Sequence, residues 1–187
     1  IVTLLILEIK IPELHELSNA AVRESLVHLI PKFIGFVVSF VTICIVWVNH
    51  HHFFHSVSRS DRSLLWYNNH LLFWLAVIPF VTGFIGEYPT QPLVIALYGF
   101  VLMMAIFAFR LMVRHAFFKG RLIHAHVEEA ARKKEYRRSI FGIILYGTSV
   151  LAAFIHPYIS LAIFILVPVY YFLPRSVLGD MAMNQDN

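Results

Sequence analysis

FIGFVVSFVTICIVWVNHHHFFHSVS, residues Phe33–Ser58, runs for 26 residues without a Lys, Arg, Asp or Glu. A helix needs roughly 20 such residues to cross a bilayer, so this stretch is expected to be a membrane span. Two further charge-free runs have the required length, Ser63–Gly86 with 24 residues and Tyr88–Phe109 with 22. A fourth, Ser139–Pro174, has 36; as one helix it would measure ~54 Å, too long for a single crossing. His156-Pro157-Tyr158 lies at its middle, which predicts two short spans joined by a tight turn. The whole composition agrees. Of 187 residues, 59% are apolar and only 14% charged, whereas a soluble domain runs near half apolar with about a quarter charged.

The chain opens with IVTLLILEIKIP, apolar until Glu8. Seven residues cannot cross a membrane, and the stretch is read as the far end of a span that begins upstream; a cleaved signal peptide is the rival reading. Counting it, the expectation is an all-α integral membrane bundle of six helices, one domain over residues 1–187. The expected spans are Ile1–Ile11, Phe33–His55, Ser63–Gly86, Pro92–Val113, Ser139–Ile155 and Tyr158–Leu173. Between the first two, Pro12–Pro31 carries Leu14, Leu17, Ala21 and Leu29 at near-helical spacing. It is expected to be a separate surface or re-entrant helix, with Ser18 as its cap. The single cysteine, Cys44, cannot form an intrachain disulfide.

Charge asymmetry orients the spans. Arg114 to Arg138 contains eight basic residues against Glu128, Glu129 and Glu135; Arg59 and Arg62 follow the second span, and Arg175 the sixth. Connections on the other side hold a mixture of signs around Glu8 to Lys32, and then Glu87. The even connections and both termini are therefore expected to face the cytoplasm. The basic run RKKEYRR, Arg132–Arg138, is read as a headgroup-facing topology signal, with no nucleic-acid partner.

With that orientation, the four histidines of WVNHHHFFH, Trp47–His55, sit at the cytoplasmic end of the second span. Helical spacing puts Trp47, His51 and His55 on one face. A His-x-x-x-His pair supplies two zinc ligands, but structural zinc takes four and catalytic zinc three, and no Asp, Glu or Cys stands nearby to complete the set. Proton relay is chemically open to neutral imidazoles. The favoured reading is structural, with histidines stabilising a helix C-terminus and bonding a neighbouring helix. No phosphate-binding glycine loop, Ser-His-Asp arrangement or intramembrane carboxylate pair marks an enzyme. Thr82-Gly83-Phe84-Ile85-Gly86 has the wrong order for a potassium filter loop; its glycines are expected to permit close helix packing.

Two pieces taken together are more specific. The first span ends TLLILEIKIPE, Thr3–Glu13, the second ends WVNHHHFF, Trp47–Phe54, and four more spans follow. Over nearly its whole length the chain resembles the transmembrane protein 175 family of potassium channels, in its single-repeat prokaryotic form. The resemblance implies a homotetramer in the plasma membrane of a prokaryote, passing potassium ions with no other cofactor. It also implies a central pore lined by span one, with Leu4 and Leu7 as apolar constrictions and Thr3 as a threonine layer. These three share one helix face, and Glu8 would stand near the outer mouth. The family's Arg-x-x-x-Phe-Ser-Asp motif would lie just upstream of Ile1. Trp47, Asn49, His50 and His51 match the region that braces the pore helix against that motif. A proton-coupled or other secondary transporter is the alternative from a different class, and a structural membrane protein a distant third.

Overall fold

The computed structural model of the chain describes residues 5–9, 18–120, 122–124 and 129–172. A short 3-10 helix, Ile6–Glu8, precedes five longer helices: α1 Asn19–His55, α2 Arg62–Glu87, α3 Pro92–Arg114, α4 Glu129–Ala152 and α5 Pro157–Phe172. A π-helical turn, His115–Lys119, extends α3. The described chain is all-helical apart from one isolated β-bridge. Three of its helices (α1, α2 and α3 with its π turn) are long and apolar enough to cross a membrane.

Ser18 caps α1 as expected, its Oγ accepting the Ala21 N–H at 3.2 Å. The expected break at Pro31 is absent, and α1 continues for 37 residues. An interior proline removes one backbone hydrogen bond and crowds the preceding turn, at about 3 kcal/mol. Tertiary packing directly after Pro31 offsets this. Lys32 lies so close to α2 that a Cβ on Gly86 would meet its Cα at 3.1 Å, and its ammonium pairs with Glu87. At ~55 Å by helical rise, α1 exceeds the ~30 Å hydrocarbon layer, so a substantial part of it projects beyond.

Helix α2 starts where Asp61 Oδ1 accepts the Leu64 N–H at 2.7 Å, and α3 starts on Pro92, where a missing N–H is harmless. The sequence turn at His156-Pro157 is present: His156 N–H bonds the Ala152 carbonyl at 2.8 Å and α5 begins at Pro157. Ser160 Oγ ties the two arms by donating to the Ser149 carbonyl at 2.7 Å. The apolar parts of these arms, Ser139–Ala152 and Pro157–Val169, are shorter than the other three spans.

Helix α3 forms the centre, burying Ile95, Tyr98, Leu102, Ala105 and Met112 against its neighbours. Gly99 makes this possible, because a Cβ there would come within 2.8 Å of Ser149 Oγ and 3.3 Å of the Phe164 ring. By contrast α1 is peripheral. Its most apolar window is 17% buried, against 44% for α2 and α3, so most of its apolar surface is uncovered among the described residues.

The connections sort to two ends. At one, the α1–α2 and α3–α4 connections pair through the Val57–Ile123 bridge, with Ser58 N–H bonded to the Leu122 carbonyl at 2.8 Å. His115 Nε2 also meets Asp61 Oδ2 at 2.8 Å there. At the other end stand Lys32, Glu87 and the 3-10 helix beside Gly86. Even connections thus share one end, as the alternation of spans requires.

Candidate functional site

The first site is the chain segment before α1. Leu5 is fully enclosed, in a cleft with Lys32 and Phe36 of α1 and Thr82, Gly83 and Gly86 of α2. Leu7 is 68% exposed and Ile6 50%. Residues two apart on a helix of three residues per turn point about 120° apart, so one side of this turn docks on the protomer and the other is uncovered among the described residues. Of the residues expected to line a pore, Leu7 has the free orientation. Thr3 and Leu4 lie outside the described residues. Glu8 ends the 3-10 helix, and its side chain also lies outside what is described.

The second site is the C-terminal end of α1, whose last turn carries His52 and His55. The sequence treats Trp47, Asn49, His50 and His51 as one brace, and the structure sends them in three directions. Trp47 is 62% exposed and stacks on the His51 ring, 5.5 Å between centroids at 16°. His51 Nε2 then meets His55 Nε2 at 3.0 Å. His50 turns inward and its Nε2 bonds Asn68 Oδ1 of α2 at 2.8 Å. Asn49 Nδ2 donates to the Ile45 carbonyl at 2.9 Å and lines a partly open cavity. Only Trp47 and His51 therefore present a joint outward face. Among the described residues, no three His, Cys, Asp or Glu side chains converge as a metal site would need.

Two polar groupings were not legible in the sequence. Ser39 Oγ lies 2.7 Å from both Thr82 Oγ1 and Tyr98 OH, joining α1, α2 and α3 in the buried interior. Thr82 in turn donates to the Ile78 carbonyl at 2.8 Å, leaving its oxygen to accept from Ser39 and Ser39 to accept from Tyr98. At the basic end, the Leu64 N–H and then the bond from His115 hold the Asp61 carboxyl below its usual range. Its cap on α2 is accordingly present above the ordinary carboxylate range and is lost only as pH falls through the lowered value.

Comparison with known proteins bears on both sites. Residues 1–79 match the family model described as endosomal/lysosomal potassium channel TMEM175, and that stretch includes Leu7 and Trp47–His51. A potassium channel of Chryseobacterium sp. (strain P1-3) is 32% identical over 176 residues, covering 93% of this chain and 86% of the relative. This chain belongs to the TMEM175 family. A potassium channel of Chamaesiphon minutus is 30% identical over 178 residues, with 92% and 86% covered. The crystal structure of a lysosomal potassium-selective channel TMEM175 homologue from the same genus and species superposes with a TM-score of 0.80 at 27% identity, over 91% of this chain and 87% of that one. A more distant TMEM175 structure, 19% identical with a TM-score of 0.61, shares the fold. As a TMEM175 member the chain is a multi-pass membrane protein of a channel family, and it is not an enzyme.

Proposed function

We propose that this TMEM175 chain is one subunit of a homotetrameric, potassium-permeable channel in a prokaryotic plasma membrane, with six spans and both termini cytoplasmic. Membership of a family whose one-third-identical relatives are potassium channels over nearly equal length carries this reading. The outward Leu7 beside the docked Leu5 supports it, since a side chain lining a shared pore is unpartnered within its own protomer. Four such segments around an axis would stack rings of Thr3, Leu4 and Leu7. An apolar ring supplies no oxygen to replace a hydration shell, so it acts through width and dewetting. Potassium sheds water more readily than sodium, which gives modest selectivity. Glu8 at the outer mouth would concentrate cations.

Reconstituted protein is expected to give unitary current steps, with a reversal potential favouring potassium under opposed potassium and sodium gradients. Ion flux with no unitary steps would indicate a carrier instead. For orientation, in a Cys44→Ser background, a cysteine at Lys133 is expected to label only from the cytoplasm and one at Glu87 only from outside. Labelling of both from one side would sink the six-span arrangement.

The outward Trp47–His51 pair would brace the pore helix. His51→Ala removes the stacked ring and the His55 contact and is expected to lower open probability or tetramer yield. His50→Ala instead loses the Asn68 bond, weakening α1–α2 by about 1 kcal/mol. Native mass and thermal stability, read beside current, separate the two; equal effects of both substitutions on all three would count against a distinct brace.

A further inference from the structure

Arg110 sits one turn before the end of α3 and has only neutral partners among the described residues. Its Nη1 donates to the Tyr136 carbonyl and, at 2.9 Å, to Ser139 Oγ. Its Cζ lies 3.6 Å above the Tyr136 ring centroid. The ion pairs among the described side chains involve other residues, Lys133–Glu129 being the one on α4. A guanidinium carries five N–H donors, and these contacts occupy one nitrogen. A cation at this depth ordinarily finds a counter-charge or snorkels to the interface.

Next to it, beginning at the preceding residue Phe109, lies a partly open cavity of about 80 Å³ with walls from all five long helices. Ser139 belongs both to its wall and to the Arg110 contact. Along α3 the wall runs through Leu102, Ala105, Ile106 and Phe109, and the next residue is Arg110. The apolar lining is therefore ~10 Å long by helical rise, with the cation at its end. Three polar wall groups give a hydrogen to their own helices: Thr42 to the Val38 carbonyl, Asn49 to Ile45 and Ser139 to Tyr136. A site for bridging water needs several convergent polar partners, and this wall is mostly hydrocarbon. Exposed Arg114 and Arg137 add positive charge at the same end.

We propose that this cavity binds an anionic phospholipid, its phosphate on the Arg110 guanidinium and part of an acyl chain against Ala105, Ile106 and Phe109. Charge complementarity selects the occupant. A planar fork whose other donors have no partner among the described residues matches a phosphate, and basic pockets between spans on the positive side of a membrane protein bind such headgroups. A zwitterionic lipid would offer the same tail with an ammonium that cancels the attraction.

The test is native mass spectrometry of the detergent-purified protein, titrated with palmitoyl-oleoyl phosphatidylglycerol or with the phosphatidylcholine of identical chains. One phosphatidylglycerol per chain is expected to be retained about fivefold or more tightly than phosphatidylcholine, the value of one interfacial cation. Arg110→Gln should abolish that preference while Arg110→Lys keeps part of it. Ala105→Leu, which fills the cavity and leaves the Arg110 contacts in place, should weaken retention of both lipids. Equal retention of the two lipids by the unaltered protein overturns the proposal, whatever the variants do. So does undiminished binding in Ala105→Leu, or displacement of the lipid by glycerol 3-phosphate at matched concentration, since either shows a headgroup site without a tail.

Discussion

Leu7→Ala is expected to raise sodium flux relative to potassium, while Leu5→Ala, two residues away, is expected to damage the fold. The two leucines differ only in where the tight turn aims them. Leu7 is 68% exposed, and substitutions at unpacked positions usually stay within about 0.5 kcal/mol. Its effect would fall on the channel: removing three carbons from each of four side chains widens and wets the constriction. Leu4→Ala is expected to act in the same direction. Leu5 is fully enclosed between α1 and α2, so truncating it leaves a cavity worth about 2–5 kcal/mol. Bi-ionic reversal potentials and thermal unfolding, measured on the same preparations, separate the outcomes. Should Leu4→Ala and Leu7→Ala both leave permeability ratio and conductance unchanged in folded tetramers, the first span does not line the pore.

Opposite signs are expected from one substitution made at two glycines. Gly99→Ala places a methyl 2.8 Å from Ser149 Oγ and 3.3 Å from the Phe164 ring. Neither neighbour can easily yield. Ser149 is fully buried with its hydroxyl bonded to the Tyr146 carbonyl at 2.7 Å, and Phe164 packs edge-on against Tyr98. Overpacking of this kind costs about 1–3 kcal/mol and would push α4 and α5 off the central helix. Gly147→Ala meets only Met103 Sδ at 3.5 Å, an ordinary contact, and gains up to about 1 kcal/mol of helix propensity. The check is the melting temperature in detergent of both variants against the parent. A Gly99→Ala protein as stable as the parent would mean that α4 and α5 do not pack on α3 as described.

The gross plan is readable from charge alone, because a bilayer tolerates few charged side chains. The three long charge-free runs fall in α1, α2 and α3, and the turn at Pro157 lies where the fourth run needed one. Local chemistry was equally legible at Ser18, whose hydroxyl caps α1. Pro31 misled, since a proline breaks a helix only when nothing after it holds the chain in place, and the closeness of Lys32 to Gly86 is a tertiary fact. The same limit applies to the hydroxyls of Ser39, Thr82 and Tyr98. Each looks like an ordinary intramembrane hydroxyl until folding brings residues 43 and 59 positions apart to 2.7 Å. Helical periodicity grouped Trp47 with His51 and His55 correctly. It could not say that His50 bonds α2, because that depends on which side the neighbour packs. Nor does composition distinguish Leu5 from Leu7.

The polar ties between α1 and α2 have a mechanical meaning. Lys32 meets Glu87, Ser39 meets Thr82 and His50 meets Asn68, an ascending position on one helix matched each time to a descending one on the other. They are rungs of a ladder, ~10 and ~16 Å apart along the axis by helical rise. Sliding one rail past the other by a turn would break all three rungs together. Twisting α1 about its own axis would break the middle one and the one at His50. The two helices are expected to move together as a single plank, with Leu5 wedged at one end and the Trp47–His51 stack carried near the other. Three contacts of about 1 kcal/mol each resist shear of such a plank more than tilt, so a displacement imposed at the histidine end is expected to carry to the leucine end.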